Sequence, residues 1–202
     1  MLNKKEENML SPAQKRRNMY ARIPDAPFLR REFWLMSVTI EKWQKEEGLP
    51  ADANLRELFL LDSPSNYTLG GLGWCEAPFI PAFEVKQIED RGEREVIQDS
   101  AGRHVLVFKG KREGFMPEYL DHPVKDIKTW EENVKWRLNP QSPERYQNLE
   151  KYARDAANAS SKDGMMVTQN IIGGYMYLRS LIGPESLLYM FYDNPELIHE
   201  CM

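Results

Sequence analysis

The hydrophobic repeat of the chain switches to a period of two near residue 82, and this switch constrains the fold more than any other feature of the sequence. Alternating apolar and polar side chains, with a glycine in each connecting turn, predict three strands, at 82–90, 93–99 and 104–108. The third strand has apolar side chains on both faces, which indicates that it is covered on both sides. They are Val105 and Val107 on one face, and Leu106 and Phe108 on the other. The sequence therefore predicts an antiparallel meander within a mostly helical chain.

Prolines in the first turn mark several of the predicted helices, because proline fixes φ at the first helical position and needs no amide partner there. Before the meander, the sequence predicts helices at 12–22, 37–47 and 54–61. After it, the predicted helices lie at 142–160 and 175–182, and two more begin at Pro184 and Pro195. The helix that begins at Pro184 is apolar nearly all round. We expect it to expose Leu187, Leu188, Met190 and Phe191, and the isolated chain to aggregate or to bind a complementary partner.

The remaining segments complete the predicted topology. An amphipathic stripe, which predicts a further helix, consists of Ile127, Trp130, Val134 and Leu138. Segment 165–168 predicts a short buried strand between two helices, an order typical of a parallel α/β layer. Segment 62–81 is rich in glycine and proline and is predicted to be a long irregular loop.

Composition limits the class of protein. The 202 residues carry 27 Lys and Arg against 31 Asp and Glu, and 42% of them are hydrophobic, as in a globular domain. The acidic balance argues against a nucleic-acid partner, and the apolar runs are too short to span a membrane. Cys75 and Cys201 form no disulfide framework, and the N-terminus has no signal-peptide pattern, so we expect a cytoplasmic protein. We predict one domain over 1–202, with a flexible arm at 1–10.

Eight short strings, in order along the chain, resemble the uroporphyrinogen decarboxylase superfamily. They lie at 33–36, 39–43, 47–50, 99–102, 116–119, 122–125, 179–185 and 192–199. The strongest is RSLIGPE at 179–185. The likeness covers nearly the whole chain after the first ten residues, and it is closest to the branch that includes cobalamin-dependent methyltransferases.

This resemblance implies a (β/α)₈ barrel with its site at the carboxyl ends of the strands. Such barrels take about 250 residues, so we expect this α/β chain to be the N-terminal part of a barrel, with the meander at 82–108 as an excursion. The resemblance also implies a small-molecule substrate and a corrinoid protein as a partner. A further partner is either the remainder of the barrel or a second copy of the chain in a homo-oligomer.

The decarboxylases of the superfamily bind substrate carboxylates through two arginines that follow a Trp-x-Met string. Trp34 and Met36 match that string, but Ser37 and Glu41 occupy the arginine positions. A substrate with eight carboxylates requires compensating cations, so uroporphyrinogen is not the expected substrate. Arg30 and Arg31 lie nearby but out of register.

The methyltransferase branch holds zinc through a His-x-Cys pair and a later cysteine. His199 and Cys201 have that spacing, but they fall in a predicted helix, where residues two apart point roughly 200° apart. We therefore expect no cofactor or zinc to be bound by this chain alone; zinc and a corrinoid partner are expectations for a full-length protein.

Candidate substrate-binding residues come from three places, and no catalytic residue is assigned. Thr168, Gln169 and Asn170 lie at the end of the predicted strand at 165–168 and directly after it, where a barrel places its site. Tyr175, Tyr177 and Arg179 follow a pair of glycines, with helix packing as their alternative role. A further set consists of Trp34, Met36, Trp74 and Glu76, an apolar wall with one carboxylate.

Three functions remain open at this point. The first is part of a methyltransferase that acts with a corrinoid partner. The second is a decarboxylase, a lyase, of a tetrapyrrole or a smaller carboxylic acid. The third is a non-catalytic binding or assembly fragment. In each case we expect this chain by itself to be catalytically inactive.

Overall fold

The computed structural model of the protein describes residues 10–32, 35–70, 76–110 and 117–202, so the predicted arm lies outside it except for Leu10. The helices are α1 (Pro12–Tyr20), α2 (Ser37–Glu46), α3 (Leu55–Leu58), α4 (Ile127–Thr129), α5 (Leu149–Asp163), α6 (Gly174–Ile182), α7 (Pro184–Asp193) and α8 (Pro195–Cys201). The strands are β1 (Asn66–Leu69), β2 (Lys86–Arg91), β3 (Arg94–Gln98), β4 (His104–Phe108), β5 (Glu118–Asp121) and β6 (Met166–Gln169).

The chain is a mixed α/β protein with one parallel and one antiparallel sheet. β1 pairs with β6 in the parallel sheet, and β2, β3, β4 and β5 follow one another in the antiparallel sheet. Within the described ranges these strands do not close into a barrel. The α/β class and the meander are therefore confirmed, whereas the single domain stays a prediction.

The chain divides into two compact units. Unit 1 comprises Met1–Leu69 and Leu149–Thr168, and unit 2 comprises Gly70–Asn148 and Gln169–Met202. Unit 1 is thus assembled from two stretches of chain that are separated by a long insertion.

Helix α1 is fixed within unit 1 by three consecutive cations. It begins with a capping box, in which Ser11 and Gln14 each accept a hydrogen bond from the other's backbone N–H. Lys15 pairs with Asp62 at 2.8 Å, Arg16 Nε donates to Ser65 Oγ at 2.7 Å, and Arg17 Nη2 donates to the Gly164 carbonyl at 2.7 Å. The helix ends at Tyr20, two residues before the predicted end.

The prediction of a continuous loop over 62–81 is wrong at β1. Four residues of this segment pair with β6, which lies about a hundred positions further along the chain, so no local signal marked the strand. The strand predicted at 165–168 is confirmed as β6. The prediction that this strand is buried is wrong, since its residues alternate between half-buried and exposed.

The four strands of the antiparallel sheet belong to unit 2. Val105 and Val107 of β4 pack with Ile97 of β3 in its buried cluster. The other face of β4 is less covered than predicted, since Leu106 is half-buried and Phe108 is exposed. Strand β5 was not predicted, because its four residues lack an apolar alternation.

The amphipathic stripe at 127–138 is confirmed, but its helix is irregular. After α4, the backbone continues as a π-helical turn (Trp130–Val134) and a 3₁₀ turn (Lys135–Leu138), which keep Trp130 and Val134 in the core. The helix predicted at 142–160 is not continuous. A 3₁₀ turn at Pro143–Arg145 in unit 2 precedes α5, which begins at Leu149 in unit 1.

Helices α6, α7 and α8 follow the predicted pattern and supply much of the core of unit 2. Leu181, Leu187 and Leu197 are completely buried there. The expectation that Leu187 is exposed is therefore wrong, and Met190 is partly buried against the same core. Leu188 and Phe191 are exposed, as expected.

Candidate functional site

The parallel strand pair carries a cluster of polar side chains on one face. Asn66 Nδ2 donates to Thr68 Oγ1 and to Thr168 Oγ1, both at 2.8 Å, and the two threonine hydroxyls lie 3.1 Å apart. We call these three residues the polar face. Sequence reasoning identified Thr168 only, because Asn66 and Thr68 lie in the segment that was predicted to be a loop.

Helix α5 packs against β1 of the parallel strand pair. Successive side chains of a strand point to opposite faces, so Tyr67 and Val167 point away from the polar face. Asn66, Tyr67 and Thr168 are half-buried, whereas Thr68 and Val167 are exposed. The polar face is thus partly accessible to solvent.

The other two candidates near this strand are Gln169, its last residue, and Asn170, which follows it. Both are exposed, and Gln169 Nε2 donates to the Asn170 carbonyl at 2.9 Å. Of the three predicted residues, Thr168 contacts the polar side chains of β1.

The three candidates on α6 do not share one face of the helix. Tyr175 is exposed, whereas Tyr177 packs against the core of unit 2, and burial raises the pKa of its hydroxyl strongly. Arg179 lies half-buried, with Nη1 3.5 Å from Met176 Sδ. This arrangement favours the helix-packing alternative for Tyr177.

The proposed apolar wall is only partly described. Met36 is half-buried at the N-cap position of α2 in unit 1, and Glu76 is half-buried in unit 2. Trp34 and Trp74 lie outside the described residues.

The residues at 199–201 do not fit the zinc pair of the family. They lie in helix α8, as predicted; the His199 side chain is exposed and Cys201 is buried. Burial raises the pKa of the Cys201 thiol to about 12, which disfavours the thiolate that zinc requires. Across the part of the chain that the structure describes, no cluster of three or more His, Cys, Asp or Glu could hold a metal ion.

Unit 1 also contains two concave surfaces that sequence reasoning did not identify. The larger is an open cleft of about 1320 Å³, with Lys15, Arg30 and Asp62 among the residues that line it. The smaller is a pocket of about 330 Å³, and it is lined by Arg16, Met19, Tyr20, Leu29 and Arg31. Their side chains come from α1, from α3 and from segments without regular structure, which is why no single periodic pattern indicated them.

None of the described helices is long and apolar enough to cross a membrane. Comparisons with protein-family models, with curated proteins and with solved structures found no match to this chain.

Proposed function

We propose that β1 and β6 are adjacent strands of an incomplete (β/α)₈ barrel of the uroporphyrinogen decarboxylase superfamily, and that the barrel serves methyl transfer with a corrinoid protein as partner. The observation that carries this proposal is the polar face, Asn66, Thr68 and Thr168, on a pair of parallel strands, with helix α5 packed against β1.

The parallel pairing of β1 and β6 supports a barrel. Neighbouring strands of a (β/α)₈ barrel are parallel, helices alternate with them along the chain, and the site lies at the carboxyl ends of the strands. Helix α5 precedes β6 in the chain and packs against β1, and Thr168 lies near the carboxyl end of β6. The ordered strings at 33–50, 99–125 and 179–199 support the same superfamily independently.

The chemistry of the polar face favours methyl transfer over decarboxylation of a tetrapyrrole. One amide and two hydroxyls can donate and accept hydrogen bonds, but they supply no positive charge for a substrate with several carboxylates. Ser37 and Glu41 add none at the positions where the decarboxylases have arginines. A zinc site for methyl transfer requires ligands other than the pair at 199–201.

A binding experiment on the purified chain tests the proposal. Methylcobalamin alone serves as the probe, and binding is measured by quenching of tryptophan fluorescence. We expect saturable binding that Thr168→Val weakens about fivefold, because a hydrogen bond contributes about 1 kcal/mol. The matched control, Val167→Thr, changes the neighbouring exposed residue on the other face and leaves the affinity unchanged.

Two results would count against methyl transfer. Absence of saturation up to about 1 mM methylcobalamin, or equal effects of the two variants, contradicts the role of the polar face. Formation of coproporphyrinogen from uroporphyrinogen by the same preparation would instead support the decarboxylase.

A further inference from the structure

One buried arginine of unit 1, Arg16, has no charged partner among the residues that the structure describes. Arg16 is only 8% exposed; its Nε donates to Ser65 Oγ, and its Nη2 has no hydrogen-bond partner among the residues that the structure describes. The cations on either side of it in α1 do have partners, since Lys15 pairs with Asp62 and Arg17 donates to the Gly164 carbonyl. Arg16 differs from both in its burial, since Lys15 is half-buried and Arg17 is exposed.

A buried guanidinium without an anion is costly, because it loses its hydration and gains no compensating charge. Ser65 is neutral and satisfies only one of the five N–H donors of the guanidinium. A bound anion beside the guanidinium would supply the missing charge.

Arg16 lines the smaller pocket of unit 1, which has the composition of an anion site with an apolar body. A second arginine, the exposed Arg31, lines the same pocket, together with the apolar or aromatic residues Met19, Tyr20 and Leu29. The described lining contains no carboxylate. Its volume of about 330 Å³ is that of a small-molecule site.

We propose that this pocket binds a small organic acid. The carboxylate lies between the guanidiniums of Arg16 and Arg31 and accepts charge-assisted hydrogen bonds from both, while the apolar part of the ligand packs against Met19, Tyr20 and Leu29. The apolar lining distinguishes such an acid from inorganic phosphate. The proposal goes beyond methyl transfer and is independent of it, because none of these residues belongs to the polar face.

The test uses phenylacetate as the probe and inorganic phosphate as the comparison anion. Affinity is measured by titration calorimetry on the whole chain, and the ¹³C-methyl signal of Met19 reports where the ligand binds. We expect phenylacetate to bind and to shift the Met19 signal, and phosphate to bind at least tenfold more weakly.

Adjacent arginines provide a matched pair of variants. Arg31→Gln removes one of the two proposed contacts, and we expect it to weaken phenylacetate binding about tenfold or more. Arg30→Gln makes the same change of net charge one residue earlier, in the larger cleft, and should leave the affinity within about twofold. Arg16→Lys keeps the charge but loses the planar donor array, so it should also weaken binding.

Several results would overturn the proposal. These are an absence of saturable phenylacetate binding, equal losses in the Arg30 and Arg31 variants, an unchanged Met19 signal at saturation, and phosphate binding as tightly as phenylacetate. The Arg31 variant decides the question even if Arg16→Lys fails to fold, because Arg31 is exposed.

Discussion

Gly183 separates helices α6 and α7, and two features of the structure require glycine at this position. Its φ of +98° is unfavourable for residues with a side chain. A Cβ at this position would also lie 2.8 Å from Nδ1 of His122. Burial, together with the positive charge of Arg103, lowers the pKa of His122, so the ring that packs here is neutral near pH 7.

We predict that Gly183→Ala lowers the free energy of unfolding by about 2–4 kcal/mol, since backbone strain and steric overlap add. Urea denaturation measures the change. The control is Gly70→Ala, because Gly70 has no positive φ and a Cβ there would meet no described atom within 4 Å, so its unfolding free energy should change by less than about 0.5 kcal/mol. Equal effects at the two positions would contradict this explanation.

The sequence predicts that a helix begins at Pro184, but not the contact that Gly183 makes. The start of a helix is encoded locally by the proline. The approach of His122 depends on tertiary packing between residues 61 positions apart, which no periodic pattern contains. The polar face was only partly predictable for the same reason, because Thr168 meets side chains of a distant strand.

At the scale of elements, the ion pair between Lys15 and Asp62 connects α1 to the segment before β1. Both side chains are largely buried, at 16% and 15% exposed. Partial burial acts to raise the pKa of Asp62, but hydrogen bonds from Lys15 and from the Arg30 backbone N–H outweigh it, so the pKa lies below its usual value of 3.8. The carboxylate is thus stabilised in the folded state.

This lowered pKa predicts a specific dependence of stability on pH. The stabilisation is fully present above the unfolded-state pKa, near 3.8, and is lost as the pH falls through the lower folded-state value. We expect Asp62→Asn to lower the unfolding free energy by about 1 kcal/mol at pH 7 and by less at pH 3.

Urea denaturation at pH 7 and at pH 3 measures the change in the unfolding free energy. Asp25→Asn is the control. It also removes a carboxylate from this cleft, but the described residues show no ion pair of Asp25. A destabilisation by Asp62→Asn that is the same at pH 3 and pH 7 would refute the assignment.

The helices were the most predictable elements. Caps and prolines lie within a few residues of the helix they start, and α1, α2, α6, α7 and α8 all follow the predicted pattern. Strands β1 and β5 have four residues each and depend on partners elsewhere, so their own sequences could not identify them.

At the scale of the whole molecule, α7 presents large apolar side chains outward from unit 2. Leu188 is 56% exposed, and Phe191 and Tyr192 are exposed on the same helix. Apolar patches of several hundred Å² favour association, so we retain the expectation that the isolated chain associates.

We predict that size-exclusion chromatography with light scattering shows a mass that rises with protein concentration. Leu188→Glu should reduce this association, because it places a charge in the apolar surface. Ser186→Glu adds the same charge at an exposed polar position of α7 and should not. A wild-type protein that stays monomeric at about 100 μM would contradict the prediction.

The class of the whole molecule was predictable from alternating helical and strand periodicity, whereas its division into two units was not. Local patterns identify elements, but the joining of 149–168 to the N-terminal stretch depends on packing between α5 and β1. Local patterns do not predict barrel closure either, because closure involves all of the strands together, and the barrel therefore remains a proposal.

The discontinuity of unit 1 has a consequence for biosynthesis. Residues 10–69 leave the ribosome before 149–168, so β1 acquires its strand partner and the helix that packs against it only after the whole insertion has been made. At translation rates of about 5–20 residues per second, this delay lasts roughly 5 to 20 s. During that time the nascent α1 and β1 lack the contacts with 149–168 that they make in the finished protein. A chaperone that binds the nascent chain would therefore encounter α1 and β1 before α5 and β6.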